Sequence, residues 1–281
     1  MKNQKPFVDF MIVGAMKSGT TSLANILKSH PKVGFCSLKE PQFFSESPNW
    51  REELTKYKSL FPGIQEGQIV GDASTGYTMY PEFNKKVWHD IYDFNPQMKI
   101  IYIMRDPVAR VISHYIHSYM RGYTRLPLNK AIIQDPAYIN RTRYYTQISP
   151  YINLFGRKQV LLITFEKFLQ EKDKVLLELS DFLKLDNEFK SYQEVHSNKA
   201  KQEIDITLNR HLRKIKSPYL KRAINFLYTR IYKAKEIQTE ATYEIEEVIW
   251  KMLELDIINI EKEIGRKLTE WPSCLKFRNN N

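Results

Sequence analysis

Residues 7–29 read FVDFMIVGAMKSGTTSLANILKS and carry the strongest structural signal in the sequence. The apolar run 10–13 is typical of a short strand buried on both faces, and Gly14 and Gly19 bracket a tight turn after it. Apolar residues then recur at helical spacing over 23–27. The stretch therefore predicts a strand, a loop and a helix, in that order.

The loop has the features of an anion site. A helix that opens directly after a loop points its first N–H groups and the positive end of its dipole into the bend. Lys17 adds a positive charge there. Hydroxyl groups are contributed by Ser18, Thr20, Thr21 and Ser22. We therefore expect the loop to hold a phosphate or sulfate dianion, and the alternative is an ordinary strand–turn–helix corner with a solvated lysine.

The position of the lysine argues against an ATP-binding loop. The pattern Gly-x-x-x-x-Gly-Lys-Ser/Thr places its lysine directly after the second glycine. Here Lys17 lies two residues before Gly19. ATP hydrolysis is accordingly disfavoured.

The order Lys-Ser-Gly-Thr-Thr-Ser directly after a strand resembles the 5′-phosphosulfate loop of the sulfotransferases that use 3′-phosphoadenosine 5′-phosphosulfate (PAPS). The resemblance implies an α/β fold, in which helices flank a central parallel sheet with a P-loop-like strand–loop–helix phosphosulfate site. It also implies PAPS as the sulfuryl donor, which leaves as 3′-phosphoadenosine 5′-phosphate (PAP), without a metal. Lys17 would stabilise the departing group. The implied cofactor-binding residues of the loop are Lys17, Ser18, Gly19, Thr20, Thr21 and Ser22.

A candidate base lies in residues 39–44, Lys-Glu-Pro-Gln-Phe-Phe. Pro41 restricts the residue before it to an extended backbone, and the two phenylalanines could anchor the loop and exclude water. A solvent-exposed glutamate paired with Lys39 is the alternative. The segment resembles the Lys-Glu-Pro-x-Phe-Phe element of the glycosaminoglycan-type sulfotransferases, which implies that Glu40 is the catalytic base.

A second anion element follows the apolar run 99–104, which predicts a strand. The strand ends at Arg105-Asp106-Pro107, and Ser113 lies two turns into the helical pattern that follows. A planar guanidinium can grip a phosphate with two hydrogen bonds, whereas an Arg105–Asp106 pair at the helix entry is the alternative. The pattern resembles the 3′-phosphate element of PAPS enzymes, which implies Arg105 and Ser113 as ligands of the 3′-phosphate.

Residues 69–77, IVGDASTGY, predict another strand that ends in a polar loop. Ligands of parallel sheets gather at such strand ends, so this loop is expected to face the first one. Many sugar-modifying relatives carry a catalytic lysine where this chain has Ala73. The acceptor therefore stays open between a carbohydrate, which we expect, and a small-molecule secondary metabolite.

The composition is that of a globular protein. The chain has 281 residues, of which 42% are hydrophobic and 27% charged, and no composition break divides it. We expect one domain over 1–281 with a frayed tail at 278–281. No apolar run approaches bilayer length and no signal peptide is evident, so we expect a cytoplasmic protein, or a catalytic domain trimmed of its anchor. Cys36 and Cys274 are expected to be free thiols.

The net charge of +11 suits a polyanionic partner. Residues 201–240 hold ten Lys or Arg against four acids, a net of +6. Apolar residues recur through them at near-helical spacing, with an interruption at Pro218. We predict a basic helical segment over 196–240 that serves as a lid or acceptor-side insertion. A solvated face over a core stripe, and contact with a membrane surface through 205–235, stay open.

These elements together predict an enzyme that moves a sulfuryl group from PAPS to a hydroxyl or amine. Such transfer needs positioning and charge neutralisation more than covalent catalysis. A P-loop kinase is the rival enzyme, and the position of the lysine opposes it. A binder of nucleic acid or anionic polymer through the basic segment is the rival of another class, but it would leave both anion elements unexplained. We expect no nucleic-acid partner.

Overall fold

The fold is built on a five-stranded parallel sheet. A computed structural model describes residues 7–186, 188–189, 217, 219–220, 224 and 241–278. The strands are β1 (Phe10–Gly14), β2 (Val33–Phe35), β3 (Ile69–Ala73), β4 (Lys99–Met104) and β5 (Val160–Thr164). They lie in the order β2-β3-β1-β4-β5, and every neighbouring pair is parallel. The predicted α/β fold with a central parallel sheet is confirmed.

Helices connect the strands and cover both faces of the sheet. In chain order they are α1 (Thr20–Lys28), α2 (Phe43–Glu46), α3 (Leu54–Lys58), α4 (Val87–Phe94), α5 (Pro107–Arg121), α6 (Leu128–Gln134), α7 (Ala137–Asn140), α8 (Tyr144–Phe155), α9 (Phe165–Gln170), α10 (Lys172–Leu183), α11 (Tyr243–Ile264) and α12 (Pro272–Arg278). An all-parallel sheet needs cover on both faces because its strands are apolar on both sides. The predicted strand–loop–helix order holds, since α1 begins directly after the loop that follows β1.

Alternate residues of β1 pack on opposite faces of the sheet. Phe10 and Ile12 join a cluster with apolar side chains of α1 and α10. Met11 and Val13 join a larger cluster that includes side chains of α5, α8 and α11. All of these β1 side chains are fully buried. The loop that leaves β1 therefore starts from a rigid support between two packed layers.

The C-terminal helix differs from the sequence prediction at its end. Arg278, expected to begin a frayed tail, is the last residue of α12 and donates from Nη1 to Glu261 Oε1 over 2.6 Å. Glu261 is only 4% exposed, so its carboxylate needs a counter-ion. The prediction was wrong at Arg278 because the sequence does not reveal this partner on α11. Residues 279–281 lie outside the described residues.

Some of the remaining expectations can be compared with the structure, and others fall outside the described residues. Cys36 and Cys274 are buried free thiols, as predicted. The basic segment 196–240 lies almost entirely outside the described residues, so its role stays a prediction, as does the single domain over 1–281. Within the described ranges, no helix has the length and apolar character needed to cross a membrane.

Candidate active site

Polar loops from neighbouring strands meet at the carboxyl end of the sheet, where ligands of parallel sheets bind. We call residues 14–19, which follow β1, the anion loop. The segment after β3 forms a 3-10 turn, Thr75–Thr78. Thr78 Oγ1 donates to the Val13 carbonyl over 2.7 Å. The two loops are therefore adjacent, as predicted.

The anion loop presents the open end of α1. Gly19 precedes the helix with a φ of 94°, and no side-chain hydrogen bond caps the first turn, so its N–H groups stay open for a ligand. A Cβ at Gly19 would lie 2.5 Å from the Phe165 ring, so only glycine lets this ring lie against the loop. Lys17 has a φ of 71°, which is uncommon outside glycine. Surrounding contacts must therefore hold the loop.

Positive charge collects around Lys17. Partial burial lowers the pKa of its ammonium group. Neighbouring cations lower that pKa further, and they are Arg105, Lys39, Arg110 and Arg121. Like charges gathered in this way destabilise one another unless an anion joins them. The electrostatics of the loop therefore fit a polyanionic ligand.

The hydroxyl groups predicted to line the loop lie in three different settings. Ser18 is fully buried, and its Oγ has no hydrogen-bond partner among the described residues, as expected of a group awaiting a ligand. Thr20 and Thr21, on the first turn of α1, line a cavity of about 120 Å³ that Glu40 also lines. Ser22 is half-buried and does not line that cavity. The structure thus brings the first turn of α1 and Glu40 to one space.

Glu40 is held by two donors on one carboxylate oxygen. Its Oε2 accepts from Thr75 Oγ1 over 3.0 Å and from Gln42 Nε2 over 3.2 Å. The backbone φ of Glu40 is 53°, so the extended conformation expected before Pro41 was wrong. The restriction imposed by a following proline is a preference, and these side-chain contacts override it. Thr75 and Gln42 both donate to Oε2, which leaves Oε1 to accept a proton from another molecule.

The aromatic residues after Glu40 anchor its loop, as predicted. Phe43 and Phe44 are 6% and 0% exposed. The Phe43 ring stacks on Tyr57 with centroids 4.2 Å apart, and the Phe44 ring meets Trp50 edge-on at 5.4 Å. The loop that carries Glu40 is therefore fixed to the hydrophobic core.

Asp72 is connected to the Glu40 loop through Ser74. It is fully buried and accepts from Tyr57 Oη over 2.7 Å, Tyr77 Oη over 2.8 Å and Ser74 Oγ over 3.1 Å. Burial raises the pKa of Asp72, and these hydrogen bonds lower it in part. Ser74 Oγ in turn accepts from the Gln42 N–H over 3.1 Å. In the part of the chain that the structure describes, no group of three His, Cys, Asp or Glu residues could hold a metal ion.

Arg105 lies at the end of β4, where the sequence places it. Its guanidinium lies over the Phe165 ring, 5.3 Å from the centroid, and it lines an open cavity of about 570 Å³ with Phe165 and Ala109. Ser113 lies one turn beyond Ala109 on α5 and does not line this cavity. Asp106 caps α5 through the Ala109 N–H over 2.9 Å, and the described residues include no Arg105–Asp106 ion pair. Arg105 is therefore available to an anion.

Hydrogen bonds through Glu166 connect the C-terminal segment to the turn that carries Arg105. Glu166 accepts from the Asp106 N–H over 3.0 Å and from Trp271 Nε1 over 2.9 Å. Tyr144 Oη donates to the Arg105 carbonyl over 2.7 Å. Glu166 therefore joins the turn that carries Arg105 to the C-terminal segment.

Sequence reasoning missed three residues that shape the site. Thr75 holds Glu40, Phe165 contacts both the anion loop and Arg105, and Arg110 contacts the anion loop from α5. Phe165 could have been found, because it directly follows a strand at the ligand-binding edge of the sheet. Arg110 carries no such signal, because its helical pattern does not reveal that an arginine is buried.

The lowered pKa of His114 leads us to expect a loss of stability at acidic pH. Burial lowers the pKa of His114 to about 2, with help from the charges of Arg110 and Arg141. The unfolded chain binds a proton on this side chain below pH about 6.5, whereas the folded chain does not. The free energy of unfolding therefore falls as pH falls through this window, by up to about 1.4 kcal/mol per pH unit from this group.

Urea unfolding at pH 7.5 and pH 5.5 measures this effect. The wild type is expected to lose about 1 kcal/mol more of its unfolding free energy than His114→Gln over that interval. Equal losses in the two proteins would contradict the assignment.

The chain matches the family model described as "Sulfotransferase domain" over residues 8–224. It is 27% identical over 193 residues to heparan sulfate glucosamine 3-O-sulfotransferase 3A1 of Mus musculus, a match that covers 66% of this chain and 47% of the relative. It is 33% identical over 112 residues to heparan sulfate glucosamine 3-O-sulfotransferase 6 of Homo sapiens, covering 40% of this chain and 31% of the relative. The chain thus spans about half or less of the length of these curated relatives.

A solved structure shares the fold. The crystal structure of a sulfotransferase from Alicyclobacillus acidocaldarius superimposes with a TM-score of 0.68 at 24% identity, covering 94% of this chain and 98% of that one. The family resemblance seen in the sequence is confirmed by the family model, which covers most of the chain. The protein therefore belongs to the sulfotransferase domain family.

Proposed function

We propose that this chain transfers a sulfuryl group from PAPS to a hydroxyl or amine of a carbohydrate acceptor. One observation carries the proposal: Glu40 lines the same cavity as Thr20 and Thr21, so a proton acceptor lies beside the helix end into which the anion loop leads. Transfer in line between two bound groups requires this juxtaposition. The small-molecule acceptor left open by the sequence becomes the alternative outcome of the test.

The residues at the anion loop fit PAPS. The orphaned Ser18 hydroxyl, the open first turn of α1 and the cations around Lys17 suit its phosphosulfate. Arg105, free of an acidic partner among the described residues and stacked on Phe165, suits its 3′-phosphate. Ser113 stays the predicted second ligand. When bound, PAPS would supply the activated sulfuryl group.

Lys17 would place its ammonium where negative charge grows as the donor bond breaks. Its lowered pKa leaves it a better proton donor than an exposed lysine, and a hydrogen bond from Lys17 to the departing phosphate would strengthen as charge develops. The left-handed backbone of Lys17 fixes its Cα relative to α1. Lys17 therefore acts on the leaving side of the reaction.

Glu40 would act on the attacking side. Thr75 and Gln42 orient the carboxylate through Oε2, and Oε1 would accept the proton of the acceptor hydroxyl or amine. The reacting hydroxyl or amine of the acceptor would enter the cavity of about 120 Å³, where Leu38 contributes apolar surface and Lys39 a positive charge. Ala73 lines the same cavity, so no lysine from β3 takes part here.

A carbohydrate acceptor is supported by the relatives and by the sequence. Several relatives are named as glucosamine 3-O-sulfotransferases of heparan sulfate. Residues 39–44 carry the Lys-Glu-Pro-x-Phe-Phe pattern of glycosaminoglycan-type enzymes. Both point to a sugar hydroxyl or amine.

Transfer of label from [35S]PAPS tests the proposal. The protein is incubated in EDTA with heparan sulfate, its desulfated form, glucosamine oligosaccharides and a simple phenol, and labelled acceptor and released PAP are measured. Labelled carbohydrate supports the proposal. Label on the phenol alone would move the acceptor to a small molecule. Absence of PAP release with every acceptor would contradict the proposed reaction.

A further inference from the structure

We infer that Arg110 is a positioning residue for the anion loop: it holds the Met16 carbonyl from the side of α5 and so fixes the backbone that presents Lys17. This inference rests on the proposed function, because it assigns a support to the proposed phosphosulfate site. Arg110 is distinct from the predicted ligands and has no place in the resemblance drawn from the sequence.

The contacts of Arg110 define a bridge. Its Nε donates to the Met16 carbonyl over 3.0 Å. Its Nη1 donates to the Tyr138 carbonyl over 3.0 Å and to Thr142 Oγ1 over 2.8 Å. One rigid guanidinium thereby joins the anion loop to α7 and the turn that follows it.

Arg110 is buried without a hydrogen bond to an acidic side chain. It is fully buried, and each of its recorded partners is a neutral oxygen. Its Nη2 has no hydrogen-bond partner among the described residues. Buried arginines are normally paired with an acid, because removing the charge from water is costly. Burial lowers the pKa of Arg110 to about 10, so it keeps its charge at neutral pH.

The anion loop needs such a support. Lys17 has a φ of 71°, and a left-handed conformation is unfavourable for a residue that carries a Cβ. Met16, directly before it, is bound by Arg110 at its carbonyl, and Arg141 Nη1 lies 3.7 Å from its sulfur. A hydrogen bond from a charged donor is about twice as strong as a neutral one. The loop can therefore keep its conformation before any ligand arrives.

Arg110 also contributes charge to the site. It is among the cations that lower the pKa of Lys17. A buried positive charge is screened by water less than a surface charge, so it acts on a bound anion over a longer range. Both the geometry and the charge of Arg110 thus favour the same ligand.

Thr142 offers a way to disturb this bridge without touching the loop. Its Oγ1 accepts from Arg110 Nη1 and donates to the Tyr138 carbonyl over 2.6 Å. Thr142→Val keeps the shape and removes the hydroxyl, whereas Thr142→Ser keeps the hydroxyl. Thr146→Val removes another threonine hydroxyl as a control, because Thr146 Oγ1 binds Asp256 and makes no hydrogen bond to Arg110.

Calorimetric titration of these proteins with PAP tests the inference. Arg110→Lys keeps the charge but lacks the planar guanidinium with its several donors, and it is expected to weaken PAP binding at least about ten-fold. Thr142→Val is expected to weaken PAP binding about five-fold. Thr142→Ser and Thr146→Val should stay within about two-fold of the wild type. Unfolding midpoints confirm that each protein is folded at the titration temperature.

The outcomes separate the inference from the proposed function. Rescue by Thr142→Ser together with loss in Thr142→Val supports positioning, provided that the unfolding midpoints show Thr142→Val to be folded during the titration. If the wild type binds PAP and both Thr142→Val and Arg110→Lys bind it equally well, the inference is overturned and the proposed function stands. If the wild type does not bind PAP, the proposed function is contradicted and the inference is overturned with it.

Discussion

Replacement of Glu40 by glutamine is expected to lower kcat for sulfuryl transfer by about 100- to 10,000-fold, while the Kd of PAP stays within about two-fold of the wild type. A carboxamide has the shape of the carboxylate, and its oxygen can still accept from Thr75 and Gln42. It cannot take a proton from the acceptor. The loss should therefore appear in turnover and leave donor binding unchanged.

The measurement is the initial rate of PAP release with the acceptor identified by label transfer, together with calorimetry of PAP binding. Glu46→Gln is the matched control, because Glu46 is an exposed glutamate on α2 of the same loop region. Its rate should stay within about two-fold of the wild type. A Glu40→Gln protein that retains more than about a tenth of the wild-type kcat would exclude Glu40 as the base.

Replacement of Lys17 by methionine is expected to reduce kcat/KM by about 100- to 1,000-fold, the effect of removing one donor to a developing negative charge. Methionine keeps most of the length and apolar volume of the lysine stem, so the backbone of the anion loop should change little. The unfolding midpoint should not fall, because Lys17 carries a repelling charge among four cations. Loss of activity without loss of stability is the expected signature.

Lys39→Met is the control for the loss of a charge close to Lys17, measured at saturating acceptor because Lys39 also lines the acceptor cavity. Lys39 is an exposed residue next to Glu40, and its charge also lowers the pKa of Lys17. Its replacement should reduce kcat/KM less than about ten-fold, since an exposed charge acts through water. Equal losses in Lys17→Met and Lys39→Met would show that net charge, and not the position of Lys17, is what the reaction requires.

The sequence reveals the parts of the site that follow from local pattern. A strand followed by a glycine-bracketed loop and a helix predicts an anion site wherever it occurs, because the helix end supplies the N–H groups. The position of Arg105 at the same edge of the sheet follows in the same way, since Arg105 ends an apolar run that had to be a buried strand. Residues 69–77 face the anion loop because the carboxyl ends of parallel strands share one edge.

The supports of the site could not be found in this way. The backbone of Glu40 follows from contacts with Thr75 and Gln42 and not from the local preference that Pro41 sets. The bridge through Arg110 joins residues 94 positions apart in the chain. Such contacts depend on the tertiary packing of β1 against α5, and a periodic pattern carries no information about them.

The cavity beside Glu40 is lined by lysines although residue 73 is an alanine. Ala73 lines the cavity beside Glu40, together with Lys28 and Lys39 from other segments. Positive charge is therefore still present in this cavity, although it comes from α1 and from the Glu40 loop.

Calorimetric titration with PAP in the absence of magnesium shows whether the anion loop and Arg105 form a PAPS site. The wild type is expected to bind PAP with a micromolar Kd, and Arg105→Ala to weaken binding at least about 30-fold, as expected for loss of charged hydrogen bonds. Arg51→Ala, which removes a surface arginine paired with Asp93, should bind as the wild type does. Absence of binding to the wild type, or equal binding by Arg105→Ala, would contradict the account.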